Sequence, residues 1–161
     1  MSRRVLGIDP GTAATGYGVV EAEPGRLGRL VECGVLRTDR GDAMAERLVT
    51  LHQGMRDLLD QHHPDVVAVE SIFYGKNVRT SLVMSHARGV ILLAAAQVGV
   101  PVAEFAPAAV KKAVVGRGRA TKVQVGFMVQ QLLRLRQPPR PADAADGVAI
   151  ALAYLITGPR R

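Results

Sequence analysis

Hydrophobic and polar residues follow one another along this chain in two rhythms, and the switches between them mark its elements. Residues 5–9, 16–21 and 27–36 are short apolar runs, each of strand length and separated by glycine-containing turns. Three strands in immediate succession predict an antiparallel meander. Met44, Leu48, Leu51, Met55 and Leu58 then recur at spacings of four and three. That is one stripe of an amphipathic helix over about residues 43–61, which Pro64 stops.

Residues 65–70, DVVAVE, read as a buried strand. Because a helix precedes it, this strand can lie parallel to the first in a right-handed crossover. Asn77 or Thr80 caps a long helix running to about residue 98, and residues 100–105 form a fifth strand. A helical pattern follows Pro107 to about residue 114. Gly116 and Gly118 interrupt it and leave GRGRATK as a basic loop. Thr121 then caps a helix to about residue 135, with Val125, Met128, Val129 and Leu132 inward. PPRP breaks that helix, and a last one spans about residues 142–156. The expected fold class is α/β: a mixed five-stranded sheet, its first three strands antiparallel, flanked by helices.

A chain of 161 residues buries one sizeable core, so residues 1–161 are read as a single domain. The longest apolar run, GVILLAAA, is far shorter than the roughly 20 residues of a membrane span. GIDPGT breaks any signal-like apolar core after MSRRV. A cytoplasmic protein with no membrane role is expected. The one cysteine, Cys33, excludes an internal disulfide, and its phase with Val31 and Val35 reads as a buried core thiol.

Charge changes the picture more. The net charge is +7, and it is regional. Between Phe105 and Ala142 there is no Asp or Glu, while Lys111, Lys112, Arg117, Arg119, Lys122, Arg134, Arg136 and Arg140 all fall there. The rest of the chain is close to neutral. A polyanion is the natural partner of such a patch.

The acids point to chemistry. Asp9 ends the first strand and Glu70 the fourth, so parallel neighbours bring both carboxylates to one sheet edge, where sites of open α/β sheets lie. In PADAADGVAIALAYL, Asp143 and Asp146 share a face of a helix that is otherwise almost wholly apolar. The helix dipole favours one acid there; two need a further reason. Converging carboxylates repel, and a divalent cation resolves the repulsion. Oxygen-only ligands fit Mg²⁺ or Mn²⁺, and His52, His62, His63 and His86 lack zinc-like spacing. Two such cations per site are the usual device for displacement at phosphorus, so an acidic site beside a basic patch reads as hydrolysis of a nucleic-acid phosphodiester. In VLGIDPGTAATGYGVV, Pro10 and Gly11 then make the turn behind a metal ligand, GTAATG leads into the next strand, and any phosphate near that loop belongs to DNA.

Taken in order, GIDPGTAATGYGVV, VAVESIFYGKN, SHARGV, VKKAVVGRGRATK and DAADGVAIAL resemble the RuvC family of Holliday-junction resolvases across nearly the whole chain. The resemblance implies an RNase H-like fold, a homodimer, a branch-migration helicase complex as partner, and Mg²⁺-dependent nicking of two strands across a four-way DNA junction. The family's catalytic acids fall on Asp9, Glu70, Asp143 and Asp146, its stacking aromatic on Phe73, and its two lysines on Lys111 and Lys122. Tyr74 and the doubled Lys111–Lys112 depart from the pattern. Phe73 and Tyr74, followed by Lys76, Asn77 and Arg79, suit stacking on a splayed base while cations hold phosphates. Lys112, Arg117 and Arg119 extend the same DNA-binding set. Leu82, His86, Gly89, Val90 and Leu93 form the stripe expected to meet a second copy, because a two-fold junction presents two equivalent phosphodiesters. The rival readings are a related nuclease acting on structured RNA, an actin-like nucleotide-dependent phosphotransferase suggested by GIDPGT, and a junction-binding module without activity.

Overall fold

The computed structural model describes residues 3–71 and 77–159. Its elements run β1 (Arg4–Asp9), β2 (Ala14–Glu23), β3 (Arg26–Arg37), α1 (Met44–His62), β4 (Val66–Glu70), α2 (Val78–Gln97), β5 (Val102–Phe105), α3 (Pro107–Val115), α4 (Lys122–Leu132) and α5 (Ala142–Thr157). The five strands form one sheet in the order β3-β2-β1-β4-β5. β1 to β3 pair antiparallel, and β4 and β5 join in parallel, as the order of elements predicts.

Strand alternation divides the core in two. Leu6, Ile8, Val19, Val67 and Val69 pack against Leu51, Met55 and Ile91 of α1 and α2. Val5, Val20, Val66 and Ala68 face the other way, toward α3, α4 and α5, where Val110, Val125, Val129, Val148 and Leu152 close the second layer. With both faces covered, β4 reads as an unbroken apolar run. Among the described residues no helix is long and apolar enough to cross a membrane.

Helix α5 sits unusually close to the sheet. Residues 147–154 are all buried, so the helix has almost no solvent face in its middle. Glycines allow the approach: a Cβ on Gly7 would overlap the Gly147 carbonyl, and one on Gly16 the Asp143 carbonyl. A Cβ on Gly147 would in turn stand 2.6 Å from the backbone of Tyr17.

Three sequence expectations shift. A β-bulge between β2 and β3 opposes Val19 to Glu32 and Val20 to Leu30, leaving Val31 as the extra residue. Val31 therefore packs with the α1–α2 layer while Cys33 packs with the α5 layer, and the two are not in phase. Cys33 is half-buried on the edge strand rather than a fully buried core thiol. The bulge also holds Glu32 toward α1, where it accepts the Tyr17 hydroxyl at 2.7 Å and lies 3.3 Å from the buried His62. Helix α4 ends at Leu132, not 135, because Arg134 turns left-handed (φ 54°) and the Leu135 N–H returns to the Gln130 carbonyl. β2 begins at Ala14, so the first turn is only residues 10–13. Of the two candidate caps for α2, the Asn77 side chain is the one used, accepting from the Thr80 N–H.

The glycine seam makes a testable contrast. Gly16→Ala or Gly147→Ala forces α5 off the sheet and is expected to cost about 1–3 kcal/mol or more in urea unfolding. Gly126→Ala, inside α4 with open space around it, is expected to gain about 0.5–1 kcal/mol.

Candidate active site

Register and alternation together bring the acids to one place. Ile8 pairs with Val69, so Asp9 and Glu70 end their parallel strands one step further on, at the same sheet edge. Asp9 follows Gly7 by two residues and Glu70 follows Ala68 by two, which turns both toward the α5 layer. Asp9 also pairs with Gly16, the residue against which the Asp143 backbone rests. The first turns of α5 therefore lie over Asp9.

Carboxylate oxygens of Asp9, Asp143 and Asp146 all lie within 4.8 Å of one another. Glu70 lines the same cavity as Asp9 and Asp146 but stands outside that tight group. The cavity, about 220 Å³, is also lined by Lys111 of α3 and Lys122 of α4, with Pro107, Val110, Val125 and Ile150 as its apolar walls. Lys122 Nζ is 3.4 Å from Asp146 Oδ2. Among the described residues no histidine joins an acid cluster of this kind; His52 instead meets Gln97 at 2.7 Å.

The electrostatics follow from crowding. Burial, with Glu70, Asp146 and Asp143 adding repulsion, pushes the Asp9 carboxyl up to about 7. Burial and then Asp146 push Glu70 upward too, against the pull of Lys111 and Lys122. Asp146 in turn raises the Lys122 ammonium, more than its slight burial lowers it.

The loop after Asp9 is closed by a residue that sequence reasoning missed. Thr15 is fully buried, and its hydroxyl accepts from the Gly11 N–H at 3.1 Å and donates to the Gly11 carbonyl at 2.6 Å. A threonine four residues after a Pro-Gly turn is the available signal. The Gly11 amide is thereby used internally, which argues against the nucleotide cradle that GIDPGT first raises.

The basic residues divide. Lys111 and Lys122 border the cavity, whereas Lys112, Arg117 and Arg119 are on the surrounding surface. Arg79 opens α2 and lines a separate groove that Asp143 also reaches. Asn77, read as a DNA contact, is engaged as the α2 cap through its side-chain oxygen. Phe73, Tyr74 and Lys76 lie outside the described residues.

A curated relative from Roseiflexus sp. (strain RS-1), named crossover junction endodeoxyribonuclease RuvC, is 51% identical over 97% of this chain and 92% of its own length. A namesake from Chloroflexus aggregans is 52% identical over 97% of this chain and 94% of its own. The solved structure of Thermus thermophilus RuvC in complex with Holliday junction substrate superposes with a TM-score of 0.89 at 37% identity, covering 96% of this chain and 93% of that one. Residues 5–154 match the family described as crossover junction endodeoxyribonuclease RuvC, and the chain belongs to that family.

Proposed function

We propose that this chain is a structure-selective endonuclease that resolves four-way DNA junctions by metal-dependent hydrolysis of two symmetrically placed phosphodiesters. The convergence of Asp9, Asp143 and Asp146 within 4.8 Å, beside a cavity edged by two lysines, carries the reading. The relatives' name and the junction bound to the Thermus thermophilus protein supply the substrate class.

A donor set made only of carboxylate oxygens fits Mg²⁺, with Mn²⁺ as substitute, and does not fit zinc. The raised Asp9 carboxyl fits as well, since burial and three neighbouring acids push it up against the pull of Lys122 alone. Asp9, Glu70, Asp143 and Asp146 are the proposed ligands and catalytic residues. Two bound cations supply an activated water and stabilise the leaving oxygen. Lys122, kept protonated by its acidic neighbours, serves as a fixed positive charge for a phosphate at the cavity mouth. Lys111 does the same from α3.

Phe73, Tyr74, Lys76, Asn77, Arg79, Lys112, Arg117 and Arg119 complete the proposed DNA-binding set. Residues 1–161 act as one nuclease domain. A homodimer matches the two-fold substrate, and Val78, Leu82 and Leu93 give α2 an exposed apolar face for a second copy, while Ala87, Ile91 and Ala94 face inward. A branch-migration helicase complex is the proposed partner and the cytoplasm the proposed location.

Incubation with a synthetic four-way junction, a linear duplex and a structured RNA, with and without Mg²⁺, tests the whole reading. Paired symmetric nicks confined to the junction and dependent on the cation are expected; equal cutting of the RNA overturns it. Asp146→Asn should abolish nicking yet leave junction affinity within a few-fold, read by gel cleavage beside fluorescence anisotropy. Lys122→Ala should flatten the log–log salt dependence of binding by about 0.9, the value for one phosphate contact.

Stability tests the crowding directly. Without metal, Asp9 ionises near 7 when folded against an ordinary value of 3.8, so from about pH 4 to 7 the folded chain holds a proton that the unfolded chain has released. Its contribution to stability is therefore present at low pH, falls as pH rises through that window and is gone above it. Asp9→Asn should flatten the decline in Tm between pH 5 and 8 in chelator and melt higher than wild type at pH 8.

A further inference from the structure

Two grooves reach the acid cluster from different sides. The first holds Lys111 and Lys122 and meets Asp9 and Asp146. The second, about 440 Å³, runs between the turn after β1 and the start of α2, with Arg40 and Arg79 on its walls and Asp143 at its edge. Because Asp9, Asp143 and Asp146 lie within 4.8 Å of one another, both grooves open onto one centre.

We infer that the arginine groove is a second phosphate site, which holds the backbone of the cleaved strand on the side of the acid cluster away from the lysines. The inference rests on the proposed nuclease function and adds Arg40 and a strand path to it. A strand crossing the centre carries a phosphate at each nucleotide step, so phosphates necessarily stand on both sides of the scissile one. Three carboxylates repel that polyanion, and cations on one side alone would hold only half of its path. Arg40 and Arg79 supply the missing side, as guanidinium groups suited to bidentate phosphate contacts.

The groove is held in shape before any ligand arrives. Arg40 lies in the loop from β3 to α1, and that loop is tied to the turn after β1. The Thr38 N–H donates to the Ala13 carbonyl at 3.1 Å, and the Thr38 hydroxyl donates to the Thr12 carbonyl. Arg47 donates to the same hydroxyl at 3.2 Å. Both Arg40 and Arg79 are exposed, and among the described residues neither makes an ion pair. Asp39 and Asp42, beside Arg40 in the chain, do not line the groove; Asp39 turns back to accept the Gly41 N–H at 2.8 Å.

Junction binding measured by anisotropy across a salt titration, in the absence of Mg²⁺, tests the assignment. Arg40→Gln and Arg79→Gln should each weaken binding and reduce the log–log slope by about 0.9. Arg29→Gln, on β3 toward the opposite end of the sheet, should leave the slope unchanged. Junctions carrying single neutral methylphosphonates on either side of the cut locate the contact. Wild type should lose affinity at positions on both sides, and Arg40→Gln/Arg79→Gln should lose no more at those on one side only. Wild-type slopes in both arginine variants, or fully additive losses at every methylphosphonate position, overturn the groove while leaving the nuclease reading intact. A wild-type chain that neither binds nor cuts junctions overturns both.

Discussion

The backbone of α5 lies directly on the backbones of β1 and β2, with no side chain between them, and the acid cluster depends on that contact. An ordinary helix packs on a sheet through a layer of side chains and leaves its own residues a side chain's length from the strands. Here Gly7, Gly16 and Gly147 remove that layer. Asp143 is consequently seated over the strand pair that carries Asp9, and carboxylates from opposite ends of the sequence come within 4.8 Å of one another. A single added methyl group at the seam would disturb the site without altering any of its carboxylates.

This placement stores repulsion. Asp9 and Glu70 are both pushed upward by burial and by their acidic neighbours, and Lys111 and Lys122 offset only part of it. The rest of the fold sustains the strain through two well-filled core layers and a tightly closed first turn, in which Thr15 satisfies both polar groups of Gly11. A site arranged to gather positive charge is in this way locally unfavourable without it, the common relation between stability and function at charged centres.

Much of this was legible in the sequence, for identifiable reasons. Asp9 and Glu70 end apolar runs whose order predicts parallel neighbours, and Asp143 and Asp146 stand out because nothing else on α5 is polar enough to explain them. The close packing that Gly16 and Gly18 of β2 permit was not legible, because it depends on a helix more than a hundred positions away. The phase of Val31 and Cys33 was misread because a bulge is set by the partner strand, which a single run of residues does not reveal. Glu70 reads as an equal member of the acid set, yet in space it stands apart from the tight trio. Arg40 gave no signal at all: flanked by Asp39 and Asp42, in the near-neutral part of the chain, it becomes notable only once Thr38 ties its loop to the first turn.

The division of the acids between the first strand and the last described helix also orders events during synthesis. Chains emerge N-terminus first and fold as they go. Asp9 and Glu70 are in place early, but their partners arrive only with α5, which also supplies the most deeply buried part of one core layer. A nascent or truncated chain lacking that helix has half of the acid cluster and a partly uncovered sheet face. Assembly of the cutting centre is thus tied to completion of the fold, so that an unfinished product is recognisable as misfolded before it is capable of damaging DNA.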